Sequence, residues 1–340
     1  MRSQGLIAEG KNKTTVRSKA PVFVLGCGRS GTTLLYHMIL SAGNFAVYRT
    51  ESNAINLLEP RFGDLSVRSN KEKLMEAWLG SKLGQRSGLD PASITAKVLA
   101  DCRNGGDFLR IVMSEVARQQ GVERWADCTP EHLLHLERIK ETIPDALIIH
   151  IIRDGRDVAL STAKLGYIRR MWWDKTPNEM VAGLYWEWMI QKGREDGREL
   201  GPDYTEVRFE QLISDPRATL KTLSSFVEQE LDYEHILKAG IGSVSEPNTS
   251  FNDPPGSNFN PLGRWKKGFT PERLAMFESL VGNTLEELGY EPGTTDRKLL
   301  DRADMKRMRG IYRRYFDSKL WLKAKTPLGK ALVTRDLSWL

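Results

Sequence analysis

The sequence predicts an α/β protein of three layers, with a central, mainly parallel sheet flanked by helices. Three observations carry that prediction. The run Ala146-Leu147-Ile148-Ile149-His150-Ile151-Ile152 is β-branched and nearly all apolar, as in a parallel strand buried on both faces. A second apolar run, Val22-Phe23-Val24-Leu25, feeds a glycine loop that opens a helix-patterned stretch, Leu34 to Leu40. Strands and helical segments then alternate, which implies right-handed crossovers around a parallel sheet. At 340 residues and 40% hydrophobic content, the chain is long enough for one large domain with a sizeable core.

The elements follow in chain order. Residues 1–20 are polar and basic without the apolar stretch of a secretory signal, and read as a disordered lead-in. Pro21 to about Gly43 gives strand, loop and helix. Ala46-Val47-Tyr48-Arg49 reads as a second short strand ending at Thr50-Glu51-Ser52. From Leu57 to Gln120 the pattern is mostly helical, broken at Gly88-Leu89-Asp90-Pro91 and Asn104-Gly105-Gly106. Arg124-Trp125-Ala126-Asp127 reads as a strand end before Cys128-Thr129-Pro130, and a helix from His132 to Thr142 leads into the buried strand. Arg153-Asp154-Gly155-Arg156-Asp157 is the turn after it, and Val158 to Leu165 starts another helix. Residues 243–263, dense in Ser, Pro, Asn and Gly, read as a lid loop, since a structureless stretch of that length is usually functional. Thr270 then caps a helix with Pro271 in its first turn. The expected organisation is one domain over 21–296 between the lead-in and a basic C-terminal arm, 297–340.

Charge is unevenly distributed. The net charge is +6, yet residues 297–340 hold 13 Lys/Arg against 4 Asp/Glu, leaving 37 against 40 on the remainder. A nearly neutral body argues against nucleic acid as a partner. The arm, with Tyr312, Tyr315, Phe316, Trp321 and Trp339 among its cations, suits an anionic membrane surface or an acidic partner as well as a solvated helix. No apolar run approaches the roughly 18–20 residues of a membrane span. Three cysteines without a C-x-x-C pair suit a reducing compartment, so a cytoplasmic location is expected.

Most of the chemistry sits in Gly26-Cys27-Gly28-Arg29-Ser30-Gly31-Thr32-Thr33. A strand feeding a glycine loop at a helix N-terminus is a phosphate cradle, because unpaired backbone N–H groups and the positive helix end face one anion. The nucleotide-triphosphatase form reads G-x-x-x-x-G-K-[ST], with its lysine on the β- and γ-phosphates. Gly26 and Gly31 keep the spacing and Thr33 fills the hydroxyl position. Thr32 stands where the lysine belongs, however, and Arg29 lies inside the loop. The pattern suits a phosphate other than the end of a triphosphate. Arg153 with Ser161, and Arg264 with Lys266, repeat the pairing of cations with hydroxyls or free N–H groups at an element end. Three such segments suit a ligand with phosphates at two positions.

In this order and spacing, the motifs resemble sulfotransferases that use 3′-phosphoadenosine 5′-phosphosulfate (PAPS), in the branch related to tyrosylprotein sulfotransferases and bacterial sulfotransferases. The resemblance covers roughly Pro21 to Tyr290. It rests on the Arg29–Thr33 loop, on Pro144-Asp145-Ala146 through Arg153-Asp154-Gly155-Arg156 to Ser161, on Glu206-Val207-Arg208-Phe209-Glu210-Gln211-Leu212 and, more weakly, on Gly263-Arg264-Trp265. It implies a fold like that of P-loop nucleotide kinases, and sulfuryl transfer from PAPS to an acceptor hydroxyl with adenosine 3′,5′-bisphosphate as product. Gly28, Arg29, Ser30, Gly31, Thr32 and Thr33 would hold the 5′-phosphosulfate, and Arg153 and Ser161 the 3′-phosphate. Arg264 and Lys266 would close over that phosphate, and Phe209 joins the cofactor-binding set. Glu51 would be the base, one residue from where relatives carry a glutamate, and Arg29 the cation for the leaving oxygen; no metal is expected. Glu59 is the reserve base. Two departures stand out: Cys128 occupies the position of a lysine in many relatives, and Phe209 that of a tyrosine.

Other readings remain beside these. An ATP- and Mg²⁺-dependent small-molecule kinase lacks its loop lysine and any clear Walker-B acid here. A non-catalytic nucleotide-binding protein is the alternative from outside the enzymes. Arg153 and Arg156 are also candidates for plain ion pairs with Asp154 and Asp157. His132 and His135 beside Glu131 invite a metal reading that no third ligand supports. Trp172, Trp173, Trp186 and Trp188 divide between core and acceptor pocket. The acceptor itself, whether small molecule, lipid, glycan or peptide tyrosine, is not written in these motifs.

Overall fold

The computed structural model, described over residues 17–244, 260–294 and 302–326, is built on strands β1 (Val22–Leu25), β2 (Ala126–Asp127), β3 (Leu147–Ile152) and β4 (Tyr204–Arg208). All pair in parallel, in the order β2-β1-β3-β4. Val22 lies between Ala126 and Leu147, and Ile148 lies opposite Tyr204. Parallel pairing puts all four C-terminal ends at one edge. The residues that follow the strands there are Gly26, Cys128, Arg153 and Phe209.

Side chains alternate across the sheet with the period of two that a pleat imposes. Phe23, Leu25, Ile148 and Ile152 enter one core cluster with Trp78, Trp125 and Trp186. Val24, Leu147, Ile149 and Ile151 enter the other, with Leu35 and Ile39 of helix α1 (Thr32–Ser41) and with Leu220. With both faces covered, the sheet sits between two helical layers, as the apolar runs predict.

Several elements depart from expectation. Residues 46–49 form no strand. Phe45 makes a single bridge to Arg124, after which Gln120 Oε1 accepts from Val47 N at 2.8 Å and Tyr48 OH donates to Leu83 O at 2.9 Å. Strand β2 is only two residues long, so the sheet edge offers no ladder to extend. Glu51 consequently follows an extended loop and precedes a π-helical turn, Ala54–Leu58. The helix expected from Val158 begins earlier, spanning Gly155–Leu165, because Asp154 caps it by accepting from Arg156 N at 2.9 Å. The expected His132–Thr142 helix is a 3₁₀ segment, Pro130–His135, followed by an α-helix, Leu136–Thr142.

The flanks differ too. Arg17–Lys19 is a turn of 3₁₀ helix, with Arg17 bonded to Asp203 at 2.9 Å and to Phe226 O, so residues 17–20 are held on the body. The rest of the lead-in lies outside the described residues, as do residues 245–259 of the expected lid loop and 297–301 and 327–340 of the arm. Between them, the arm contributes a long helix, Arg302–Lys325, with Tyr312 and Phe316 buried. Among the described residues no helix is long and apolar enough to cross a membrane.

Candidate active site

The glycine loop is shaped by two close approaches. A Cβ on Gly26 would overlap the carbonyl oxygen of Ile151, and one on Gly31 would overlap the Phe209 ring. Gly31 also has φ +95° at the N-cap of α1, a conformation that favours glycine. Arg29 takes a left-handed φ of 75° as well. The turn closes with Ser30 N donating to Cys27 O at 3.0 Å. Its backbone thus curls around the start of α1, the concavity that binds an anion.

Arg153 leaves the end of β3 and enters this cradle. Its guanidinium lies over the Phe209 ring at 4.5 Å, donates from Nη1 to Arg29 O at 3.1 Å and from Nη2 to Pro261 O at 2.6 Å. Burial lowers its pKa, while Asp157 and Glu210 pull the other way. The Asp157 contact is long, 3.5 Å. Arg29 Nε donates to Ser161 Oγ at 3.0 Å. Two buried polar atoms here have no partner among the described residues, Ser30 Oγ and Arg153 Nε. A hydroxyl and a guanidinium N–H left unpaired at one cradle fit a phosphate's acceptor oxygens.

The ion-pair reading holds loosely for Arg153, through Asp157, and tightly for Arg156. Arg156 holds Asp154 at 2.8 Å and Glu278 at 2.7 Å, with Trp265 stacked over it at 3.8 Å. Glu210 accepts from Asp154 N at 2.9 Å and from Tyr290 OH at 3.0 Å, fixing the turn after β3. Asp157, which the sequence offers only as a pairing partner, anchors the far side. It accepts from Gly263 N at 3.1 Å and Trp265 N at 2.8 Å, so residues 261–265 are tied to the helix Gly155–Leu165 that follows Arg153. Lys266 is exposed, with its Nζ 5.7 Å from the Trp265 ring centre, and Arg264 is half-buried at the N-cap of the short helix Trp265–Gly268. Loop, Arg153, Ser161, Phe209 and the 261–265 segment therefore meet; Lys266 stands over Trp265 instead.

On the other side of the loop, Glu51, Thr33, Tyr36, His37, Arg49, Arg86 and Cys128 line one cleft of about 660 Å³. The Glu51 loop is held by a buried network that sequence reasoning missed. Asp127 Oδ1 accepts from Ser52 N at 3.4 Å, Thr129 Oγ1 from Asn53 N at 3.2 Å, and His132 Nε2 from Ile55 N at 3.3 Å. Because Nε2 accepts, the ring proton is on Nδ1 and goes to Asp127 Oδ2 at 2.9 Å. Burial opposes ionisation of Asp127, but its partners outweigh that and hold its pKa below the usual value. His132 is thus a positioning residue. Among the described residues no group of three or more His, Cys, Asp or Glu side chains is arranged to hold a metal.

Burial, with help from Asp127 and Glu51, pushes the Cys128 thiol well above its ordinary pKa, so a neutral group occupies this position. Cys27 is likewise pushed up to about 12 by burial and fills space in the loop. Glu59 pairs with Arg138 at 2.5 Å, a structural engagement. Of the tryptophans, Trp186 is core and donates to Arg153 O at 3.1 Å, Trp188 is buried, and Trp172 and Trp173 are exposed.

Two solved structures share this architecture. The sulfotransferase domain from the Synechococcus PCC 7002 olefin synthase is 21% identical, with a TM-score of 0.51, covering 80% of this chain and 95% of that one. The sulfotransferase domain from the curacin biosynthetic pathway is 16% identical, with a TM-score of 0.52, covering 80% and 98%. Among curated proteins no significant sequence match is found. Residues 21–233, which carry the glycine loop, the Glu51 cleft, Arg153, Ser161 and Phe209, match the model of the sulfotransferase family. The chain belongs to that family and is a sulfotransferase.

Proposed function

We propose that this sulfotransferase takes its sulfuryl group from PAPS and delivers it to an acceptor hydroxyl, with Glu51 as the base. The observation that carries the donor assignment is the pair of buried, unpartnered polar atoms, Ser30 Oγ and Arg153 Nε, on two sides of one cradle. When bound, the donor supplies the sulfuryl group and departs as adenosine 3′,5′-bisphosphate. Gly28, Arg29, Ser30, Gly31, Thr32 and Thr33 would hold its 5′ end through backbone N–H groups and hydroxyls. Arg153 and Ser161 would hold the 3′-phosphate, with Phe209 behind the guanidinium and Arg264 and Lys266 near the entrance.

Transfer requires a hydroxyl lined up opposite the leaving oxygen, a group to take its proton, and cations where charge develops. Glu51 and Thr33 share one cleft at the loop, which supports proton transfer from the hydroxyl to the Glu51 carboxylate. Arg29 is the cation for the leaving oxygen, since Cys128 carries no charge to offer. Three buried free cysteines support a reducing, cytoplasmic setting.

The test is calorimetric titration with adenosine 3′,5′-bisphosphate and, separately, ADP, in metal-chelating buffer. Tight binding of the bisphosphate with weak binding of ADP is the expected outcome. Binding of ATP only once Mg²⁺ is restored would hand the site to a kinase reading.

A further inference from the structure

We propose that the cavity between residues 166–169, helix Asn178–Arg198 and helix Arg302–Lys325 is the acceptor pocket. Its occupant is a small hydroxyl compound with an apolar body and a negatively charged group. This inference rests on the sulfuryl-transfer reading above and names its substrate class.

The cavity measures about 310 Å³, at the lower end of the ~300–1,000 Å³ usual for small-molecule sites. Its apolar wall comes from Ile168, Tyr185, Trp188, Phe316 and Leu320. The Trp188 and Phe316 rings lie 5.4 Å apart, and Tyr185 meets Phe316 edge-on at 5.3 Å, leaving aromatic surface for a ring or short chain.

Three links join this cavity to the reaction site. Helix Gly155–Leu165, which carries Ser161, runs directly into the 166–169 wall. Tyr167 lines the cavity and lies near enough to Arg29 to affect its titration. Asn56 also lines it; Asn56 Nδ2 donates to Asn53 Oδ1 at 3.3 Å and to Glu131 Oε2 at 3.1 Å, and Asn53 Nδ2 donates to Glu51 O at 3.2 Å. Since an ionised carboxylate only accepts, the Asn56 amide is oriented with its nitrogen toward Glu131. That leaves Oδ1 buried and without a partner among the described residues. A buried amide oxygen beside the Glu51 loop calls for a donor, which the acceptor hydroxyl supplies on arrival, before its proton passes to Glu51.

The charge preference comes from the C-terminal helix. Lys319 and Lys323 stand one turn apart on it and line the cavity with Arg169, whereas Glu131 is already engaged by Asn56. The helix is firmly docked. Arg309 pairs with Glu187 at 2.8 Å, Trp188 Nε1 donates to Asp317 at 2.8 Å, and Tyr312 OH donates to Asp174. It lies outside the 21–233 segment that matches the family.

The experiment uses the full chain with PAPS and compares three acceptors: phenol, hydroxyphenylpropionate and a tyrosine-containing peptide. Wild type is expected to prefer hydroxyphenylpropionate. Lys319→Ser/Lys323→Ser should lower its kcat/KM relative to that of phenol by about tenfold or more, the loss of a charge-assisted contact. Leu320→Trp, which fills the cavity from a half-buried position, should raise KM for both small acceptors while bisphosphate affinity is kept, a check on folding. An unchanged ratio, an unchanged KM in Leu320→Trp, or sulfation of the peptide alone would overturn the proposal. If wild type fails to bind bisphosphate, the transfer reading falls by itself. Calorimetric titration of hydroxyphenylpropionate into wild type and Leu320→Trp then decides the pocket: binding lost in the variant supports it, and equal binding overturns it.

Discussion

Arg153 is a cation taken out of water with its Nε unpaired among the described residues, a costly arrangement unless an anion completes it. Its planar fork also lies on the Phe209 ring, which a lysine's point charge cannot reproduce. Arg153→Ala is therefore expected to weaken bisphosphate binding by about 1.5–3 kcal/mol, and Arg153→Lys to recover only part of it. Calorimetry measures both, and wild-type affinity in the alanine variant would sink the 3′-phosphate assignment. Glu51 makes the opposite prediction. Glu51→Gln keeps the side chain's shape and removes its basicity, so bisphosphate affinity should hold while kcat falls by about 10²–10⁴. Full turnover in that variant would remove Glu51 from the chemistry. The turn of the glycine loop and the strand end that carries Arg153 were legible in sequence, from the glycine spacing and from the apolar run before Arg153. Asp157 and Asn56 were not, since their importance comes from what the fold brings to them: two backbone N–H groups for one, an unfilled acceptor for the other.

At the scale of elements, β3 carries a polar exception in its core. His150 is fully buried, and its Nδ1 lies 2.7 Å from Tyr204 OH, which donates onward to Glu206 at 3.1 Å. With the Tyr204 proton committed to Glu206, His150 is the donor in its own bond and Nε2 keeps the lone pair. Burial lowers its pKa from 6.5 to about 4, with Glu206 opposing and Arg194 and Arg208 assisting. The unfolded state therefore takes up a proton that the folded state refuses. Stability is complete above pH ~6.5 and falls as pH drops toward ~4, by up to roughly 3 kcal/mol. Asp157, Glu187 and Glu210, whose pKa values are raised by burial, slope the other way. The difference between wild type and His150→Gln isolates the histidine. Denaturant midpoints at pH 7 and pH 5 should converge for that pair if His150 is the source, and a pH-independent gap would exclude it. Strand β3 was legible from its apolar run, and so was the cap at Thr270. Residues 46–49 misled because their alternation suits a strand, whereas pairing with the segment before the two-residue β2 stops at Arg124, which bonds Asn44 O and Ala46 N.

Across the whole molecule, the cradle ties together parts distant in sequence. Asp157 sits between Arg153 and the backbone of residues 263–265, and Trp265 covers Arg156, whose carboxylate partners include Glu278 of helix Pro271–Glu287. The glycine loop, the turn after β3 and the C-terminal half of the fold thus share one junction. That arrangement was not legible in the Arg-Asp-Gly-Arg-Asp run, where every pairing looks local. A ligand that completes Arg153 should stabilise the folded state as a unit, by about 2.7 kcal/mol at a hundredfold excess over Kd. Bisphosphate is accordingly expected to raise Tm by several degrees in wild type. Asp157→Asn removes the charge facing Arg153 and turns one acceptor into a donor toward one of the two backbone N–H groups it now binds. It should lower the Tm of the free protein and also shrink the shift that bisphosphate produces, because the 261–265 segment loses its attachment beside the phosphate site. Arg156→Gln separates the two effects. It cuts the ties to Asp154 and Glu278 without touching Arg153, so it should lower the free-protein Tm and leave the ligand-induced shift intact. Scanning calorimetry of the three proteins with and without bisphosphate reads both quantities. A full shift in Asp157→Asn would show that the phosphate site does not depend on the junction.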